Sequence, residues 1–582
     1  MNTTVNPPSA SIGSLITERA KSPLFLLAAA FLIVCVLLAL PLVVPIGPMY
    51  WDVLIYYDAS NRIFEGQVPV IDFFTPVGPL GYYLFAGWVT LFPNAQPALL
   101  AHWSLLLVTA PLMALVLWDV GQRSRGIGFA VLVPFLVFVL LPFNTREFYP
   151  FPGSDAFGIY NRQVCQMLYV LVAALMFVRN RYLLVALVAL IMTALFFLKI
   201  TGFVAGGVIA AYAFFAGRVK FRYALEALTI FAIALAVIEL ASGMVSQYVM
   251  DVLRLVQMNS GTLLPRFLQS ASINFGVVLA ASALAIVLLW SDRQKLLERF
   301  SSGRKTSLAS AVSTVLDHHG LWLFAVVFAG ILFETQNTGS QAFIFLAPLV
   351  VAILLKAPKL LGKPVVLLSV LGLSAAIVLP PALFVIERAA RTYIGSVKNQ
   401  PLAQRNLRTL GAVNMRSEVA VRAEHMLNFY PEHRSLYTDL TNAGELPTPV
   451  LYSDYDFQIT YLGNVDAAID SIRKLESDKG IRFDTLMSLN FVNPFPWLMD
   501  RSAPLHIAIG ADPTRAVPDP GSTEEGAVAQ ADLILLPTCP PTTANAMLYD
   551  MYKSALTQHR RIQLDACYDA FVHPRFFDAL DR

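Results

Sequence analysis

From Pro23 to Gly47 the chain runs through 25 positions without one charged residue. A bilayer core of roughly 30 Å takes about 20 apolar helical residues to cross, because no backbone polar group can be left unpaired in lipid. The run is too long for the apolar region of a signal peptide and lacks a small-residue cleavage site, so it is read as a retained first span. Comparable runs follow near 97–118, 127–143, 163–178, 183–198, 202–217, 223–245, 271–291, 319–335, 341–355 and 364–387. The pattern therefore predicts eleven transmembrane helices.

The polar connections between these runs differ in charge. Arg19/Lys21, Arg123/Arg125, Arg179/Arg181, Arg218/Lys220/Arg222, Arg293/Lys295/Arg299/Arg304/Lys305 and Lys356/Lys359/Lys363 occupy every second connection, and hold 17 of the 24 Lys and Arg residues before position 389. Cytoplasmic loops collect such residues. The expected N-terminus is cytoplasmic, and an odd number of spans sends the chain after 388 to the other side, together with loops 48–95, 144–162 and 246–270.

After position 388 the balance reverses, with 18 Lys and Arg against 23 Asp and Glu, where residues 1–388 hold 24 against 16. Two bodies in different solvents are implied. The expected organisation is a short cytoplasmic tail (1–22), a membrane domain (23–388) and an exported α/β domain (389–582). In the last, β-rich runs Thr485–Leu489, Leu505–Gly510 and Ala531–Pro537 alternate with helical patterns such as Ala544–Gln558, after a helical stretch near 401–428. With 56% hydrophobic and only 14% charged residues, an ordinary cytosolic enzyme and a disordered chain are both excluded. No basic stripe suggests nucleic acid as a partner. There is no P-loop, dinucleotide fingerprint, HExxH or zinc-type cysteine spacing. Cys35 and Cys165 lie in apolar runs as small hydrophobes. Cys539 and Cys567 lie in the polar part, and in an oxidising compartment they are candidates for a disulfide.

The chemistry concentrates in the first outer loop. In Tyr50-Trp51-Asp52-Val53-Leu54-Ile55-Tyr56-Tyr57-Asp58-Ala59-Ser60-Asn61-Arg62-Ile63-Phe64-Glu65-Gly66, Ile55, Ala59 and Ile63 recur every four residues, and Gly66 suits a left-handed helix end. The segment is expected to be an amphipathic helix on the membrane surface, with Asp52 at its N-cap and Tyr50, Trp51, Tyr56 and Tyr57 in an interfacial aromatic belt. The loop after it, held extended by Gly66 and Pro69, carries Asp72 towards the first acid.

The pattern Asp52…Tyr56-Tyr57-x-Ala59…Gly66-x-x-Pro69-x-x-Asp72-Phe73…Gly78-Pro79-Leu80-x-Tyr82-Tyr83 resembles the first outer loop of the GT-C glycosyltransferases. The likeness is to the branch of the protein O-mannosyltransferases and the aminoarabinose–lipid A transferase. Here Asp72 is followed by Phe-Phe-Thr-Pro rather than by the family's Lys-Pro-Pro. The second outer loop, with Asp155, and the Lys199 at a span's outer end agree with the resemblance. It implies a sugar transferase, hexosyl or pentosyl, of a bacterial inner membrane. The donor would be a polyprenyl-phosphate sugar and the acceptor an envelope glycan, lipid or protein. Asp52 would be the base, with Asp72 and Asp155 beside it. Lys199 would meet the donor phosphate, with Arg254 or Arg266 as helpers, and Tyr56, Tyr57, Arg162, Glu334 and Asn337 are the candidate substrate contacts. No cofactor is expected, and the single-phosphate-donor branch implies no catalytic metal; a divalent cation held by the acids, as in some members of the superfamily, is the alternative. A polymerase or ligase using lipid-linked oligosaccharide, and a transporter or flippase, are the alternatives; no internal repeat of the kind carriers use is evident.

Overall fold

The computed structural model describes residues 22–149, 151–259, 261, 263–304, 307–335 and 339–582. The N-terminal tail with Arg19 and Lys21, and the candidate contact Asn337, lie outside the described residues.

The chain is mostly helical, and every apolar run named above falls on a helix. The first is Pro23–Ala39, started by the Ser22 hydroxyl, which accepts from the Leu24 N–H, and by Pro23 at a position where a missing donor is harmless. It ends just before Leu40-Pro41, because a residue preceding proline is driven to extended geometry. Helix length by itself supports a smaller count of spans. Among the described residues, four helices are long and apolar enough to cross a bilayer, namely Pro97–Gly121, Arg181–Leu198, Phe221–Ser242 and Pro364–Lys398. Two bent pairs, Leu263–Ile273 with Phe275–Ser291 and Leu308–Leu316 with His319–Phe333, raise the number to six if each pair is one span. Pro23–Ala39, Arg125–Leu140 and Ile200–Phe215 have 17, 16 and 16 residues, which at 1.5 Å per residue is about 24–26 Å. An apolar run in the sequence is longer than the helix it makes wherever proline or a capping residue cuts it. These apolar helices are compatible with a membrane-embedded protein.

Helix Ile159–Phe177 is buried almost throughout and packs against its neighbours on all sides. It carries Arg162, Gln163 and Gln166, all buried, so it is the polar spine of the bundle rather than a lipid-facing span.

The C-terminal region contains a four-stranded sheet. Leu486–Ser488 pairs in parallel with Leu533–Pro537, which pairs antiparallel with Tyr568–Val572, whose other edge carries Arg560–Gln563. Tyr455–Lys479, Ser522–Ala529 and Thr543–Tyr552 are among the helices around it. The run Leu505–Gly510, expected as a strand, is irregular: His506 and Gly510 have positive φ and the segment spends its N–H groups on the first outer loop instead of on a sheet. Arg560–Gln563 and Tyr568–Val572 were not expected as strands.

Cys539 and Cys567 form a disulfide with Cα atoms 4.9 Å apart. It closes a loop across 28 positions, and loops of that size contribute about 3.6 kcal/mol by restricting the unfolded chain. Cys539→Ser with Cys567→Ser should therefore lower the stability of the C-terminal region by about 2–4 kcal/mol, read as a lower denaturation midpoint; an unchanged midpoint would remove the disulfide from the stability of the fold.

The two parts of the chain are knitted together rather than tethered. Val44–Pro45, just past the first helix, pairs in parallel with Val413–Met415, which also holds Gln400–Pro401. The Tyr50 hydroxyl donates to the Leu410 carbonyl at 3.0 Å, and the Gln458 side chain accepts from the Tyr50 N–H at 2.7 Å. Helix Trp51–Phe64 consequently lies buried between the membrane helices and the C-terminal region, and is not a surface helix. Its polar residues are sequestered as well. Asn61 Nδ2 donates to the Arg501 carbonyl at 3.0 Å, and Arg62 Nη1 to the Pro504 carbonyl at 2.7 Å.

Candidate active site

Asp52 is not the N-cap of its own helix: Trp51–Phe64 begins after Tyr50, and Asp52 falls in the first turn. Its carboxylate instead reaches across to a second helix, accepting from the Gly158 N–H at 3.4 Å. Gly158 is the N-cap of Ile159–Phe177 and has φ near +67°. A side chain there would be strained by that φ, and its Cβ would fall 1.9 Å from the Gly339 carbonyl oxygen. Two glycines make the same close approach nearby: a Cβ on Gly47 or Gly153 would lie within 2.0 Å of the opposite backbone. The exit of the first helix and the loop ahead of Ile159 thus touch backbone to backbone, which fixes Asp52 over the positive end of Ile159–Phe177.

Asp52 opens on a cavity of about 240 Å³. Tyr56, Tyr82, Tyr160 and Tyr248 line it, with Lys199, Arg266, Asp251, Asp512 and Arg515. Apolar wall is supplied by Val77, Ile200, Val252, Leu255, Val256 and Leu263. Burial pushes the Asp52 carboxyl up to about 7, with Asp155 raising it further, while the Gly158 N–H, Arg162 and Arg515 pull it down. A carboxyl poised there is half ionised near neutral pH.

Lys199 interrupts the helices Arg181–Leu198 and Ile200–Phe215. Its ammonium donates to Asn161 Oδ1 at 2.7 Å and lies 5.0 and 5.5 Å from the centres of the Tyr160 and Phe333 rings. Glu334 is buried close by and accepts from the Ser340 hydroxyl at 2.5 Å.

Several candidates lie elsewhere. Asp72 does not line this cavity; its carboxylate accepts from the Val68 N–H at 2.6 Å and closes its own loop, so its charge is spent locally. Arg254 borders a separate polar cavity of about 80 Å³ with Gln247, His506, Asp519 and Glu524, and pairs with Asp251 at 3.5 Å. Arg162 is fully buried and donates to His102 Nδ1, Asn144 Oδ1 and the carbonyls of Phe157 and Asp155. All its nitrogens are committed to the protein, so it organises the floor of the cavity. Asp155 is buried there too, accepting from the Asn144 and Phe157 N–H groups, and burial raises its carboxyl. Tyr57 turns away to the Thr409 hydroxyl at 3.1 Å and against Trp497. Asp52, Tyr56, Lys199 and Arg266 are the sequence candidates that the fold brings to one cavity.

Asp251, Asp512 and Arg515 were missed by the sequence reading. Asp251 is buried on helix Met244–Asn259, with Oδ1 taken by Gln247 and Oδ2 lacking a hydrogen-bond partner among the described residues. Burial pushes it up to about 6. The available signal was an acid and an arginine three positions apart, Asp251/Arg254 and Asp512/Arg515, a spacing too common to single out. No family model, curated protein or solved structure matches the chain.

Proposed function

We propose that the protein is an integral membrane glycosyltransferase, moving a sugar from a polyprenyl-phosphate donor to a hydroxyl of an envelope glycan, lipid or protein. The observation that carries the reading is the joint lining of one cavity by a carboxylate titrating near neutrality, by the cations Lys199, Arg266 and Arg515, and by an apolar wall. Such a lining suits an amphiphilic anion beside a general base. The alternation of basic connections supports a cytoplasmic N-terminus, which leaves the Asp52 loop and the C-terminal domain on the outer face of a bacterial inner membrane. Eleven crossings of a GT-C-like bundle would require the shorter helices to span with local thinning or flanking residues.

In this reading Asp52 accepts the proton of the attacking hydroxyl as the new C–O bond forms at the anomeric carbon. The bond from that carbon to the phosphate oxygen breaks, and its electron pair leaves with the phosphate. Lys199 and the arginines stabilise the leaving anion. A single displacement inverts the anomeric centre. Mass spectrometry of lipid-linked sugars with and without the gene tests the reading: one accumulating polyprenyl-phosphate monosaccharide is expected, and an unchanged lipid-linked pool would reject it.

The raised Asp52 carboxyl also sets a pH dependence. Only the ionised form accepts a proton, so log turnover should climb with unit slope as pH rises to about 7 and level off above it. A rate already flat from pH 5 upwards would exclude a base titrating near neutrality.

A further inference from the structure

The segment of the C-terminal region between Leu505 and Val517 is docked on the first outer loop. The His506 N–H donates to the Asp72 carbonyl at 2.6 Å and the Ile509 N–H to the Phe74 carbonyl at 3.1 Å. Gly510 passes so near the first-loop helix that a Cβ would stand 3.2 Å from Ile55 Cδ1. Immediately afterwards the chain turns on the buried Asp512. Its Oδ1 accepts from the Thr514 N–H at 3.0 Å and from the Thr514 hydroxyl at 2.5 Å, and its Oδ2 accepts from Arg515 Nε at 2.7 Å. Asn259, on the outer-loop helix Met244–Asn259, donates to the Arg515 carbonyl at 3.1 Å.

Arg515 is thereby held from three directions: by its own turn, by a helix of the third outer loop and by the first outer loop beneath Gly510. Its side chain is an exposed residue at the rim of the Asp52 cavity. Asp512 uses only the Nε edge, and the two terminal nitrogens make no hydrogen bond among the described residues. Arg515 is also near enough to repel Lys199 and to attract Asp52. Two cations and Arg266 facing one cavity, with one of the cations oriented by a buried carboxylate and its donor fork unspent, form a receptor for a tetrahedral oxyanion. The Asp512 carboxylate and Asp52 attract the guanidinium while Lys199 repels it, and its two terminal nitrogens face the cavity rim. A phosphate between them turns the repulsion into two attractions.

We propose that Arg515 binds the phosphate of the lipid donor, so that the C-terminal domain supplies a residue of the donor site; this rests on the polyprenyl-phosphate reading of the cavity. Asp512 is then a positioning residue, acting by aiming the guanidinium. The domain is then a working part of the site, because the docked Leu505–Val517 segment is what carries the cation in.

The test uses the full-length protein in phosphatidylcholine nanodiscs and three probes: undecaprenyl phosphate, uncharged undecaprenol and inorganic phosphate. Wild-type protein should bind undecaprenyl phosphate at least tenfold more tightly than undecaprenol. Arg515→Gln should lose tenfold or more of the affinity for undecaprenyl phosphate and none for undecaprenol. Arg515→Lys should fall between, since an ammonium keeps the charge and loses the fork, and it secures the test if the Gln variant melts early. Asp512→Asn should weaken phosphate binding less than Arg515→Gln does. Undecaprenyl phosphate bound within twofold of wild type by a folded Arg515→Gln overturns the assignment and leaves the proposed reaction standing. A wild-type protein indifferent to the phosphate of the lipid, or holding inorganic phosphate as well as the lipid form, overturns the reading beneath it.

Discussion

Asp52→Asn should leave the protein folded and cut turnover by roughly 10²–10⁴-fold. The substitution keeps the shape of the side chain and an oxygen for the Gly158 N–H to meet, so the junction of the two helices survives. It removes the proton acceptor. The sign of the stability effect separates this role from a structural one. Burial raises the Asp52 carboxyl from 3.8 to about 7, so the folded state binds its proton more tightly than the unfolded chain does. The contribution of this group to stability is therefore greatest below pH 4 and declines as pH rises through about 7. At pH 8 the ionised carboxylate is a burden to the fold, and Asn should leave the melting temperature unchanged or higher. A variant with lost activity and a lowered melting temperature would make Asp52 a helix-end cap and nothing more. A folded variant with near-normal transfer would remove it from the reaction.

The second large effect is expected at Arg62. The guanidinium is buried with its ion-pair partner Asp58, Nε to Oδ1 at 2.9 Å. It also donates to the Pro504 carbonyl, just ahead of the Leu505–Val517 segment, and stands 5.2 Å from the centre of the Phe73 ring. Burial raises the Asp58 carboxyl and Arg62 pulls it back down. Arg62→Met would strand that carboxylate without a partner, and breaking one side of a buried pair costs about 3–5 kcal/mol. The loss should appear as a lower unfolding midpoint and as faster proteolysis between Arg501 and Pro520, where the C-terminal region leans on this side chain. Asp58→Asn combined with Arg62→Met should recover part of the loss, because no buried charge is then left unpaired. Equal destabilisation in the single and double variants would show that packing, and not the charge pair, dominates at this position.

How much of the site was legible follows from where each residue's signal comes from. Asp52 and Lys199 stand out because each interrupts an apolar stretch at its end, where a charge is conspicuous in any reading of the pattern. Arg162 stood out for the same reason, since a cation at the mouth of an apolar helix looks like a substrate contact; the fold buries it and commits every nitrogen to carbonyls, Asn144 and His102. Asp72 sits in the correct loop, and it acts through its backbone, by receiving the His506 N–H, while its carboxylate serves the Val68 N–H. The disulfide partners were candidates by elimination from the apolar runs, and the fold places them within bonding distance.

Along the chain, apolar runs and the charges between them determined that the molecule is mostly helical with apolar helices compatible with a membrane, and which loop holds the first acid. Hydrophobicity is a local, additive property, so a linear pattern carries it faithfully. Tertiary structure decided how long each helix is, that Trp51–Phe64 is roofed over by the C-terminal region, and that Asp251 and Arg515 meet Asp52 and Lys199 at one cavity. Those outcomes depend on contacts between residues hundreds of positions apart, and a three-residue spacing of opposite charges holds no information about what will face it.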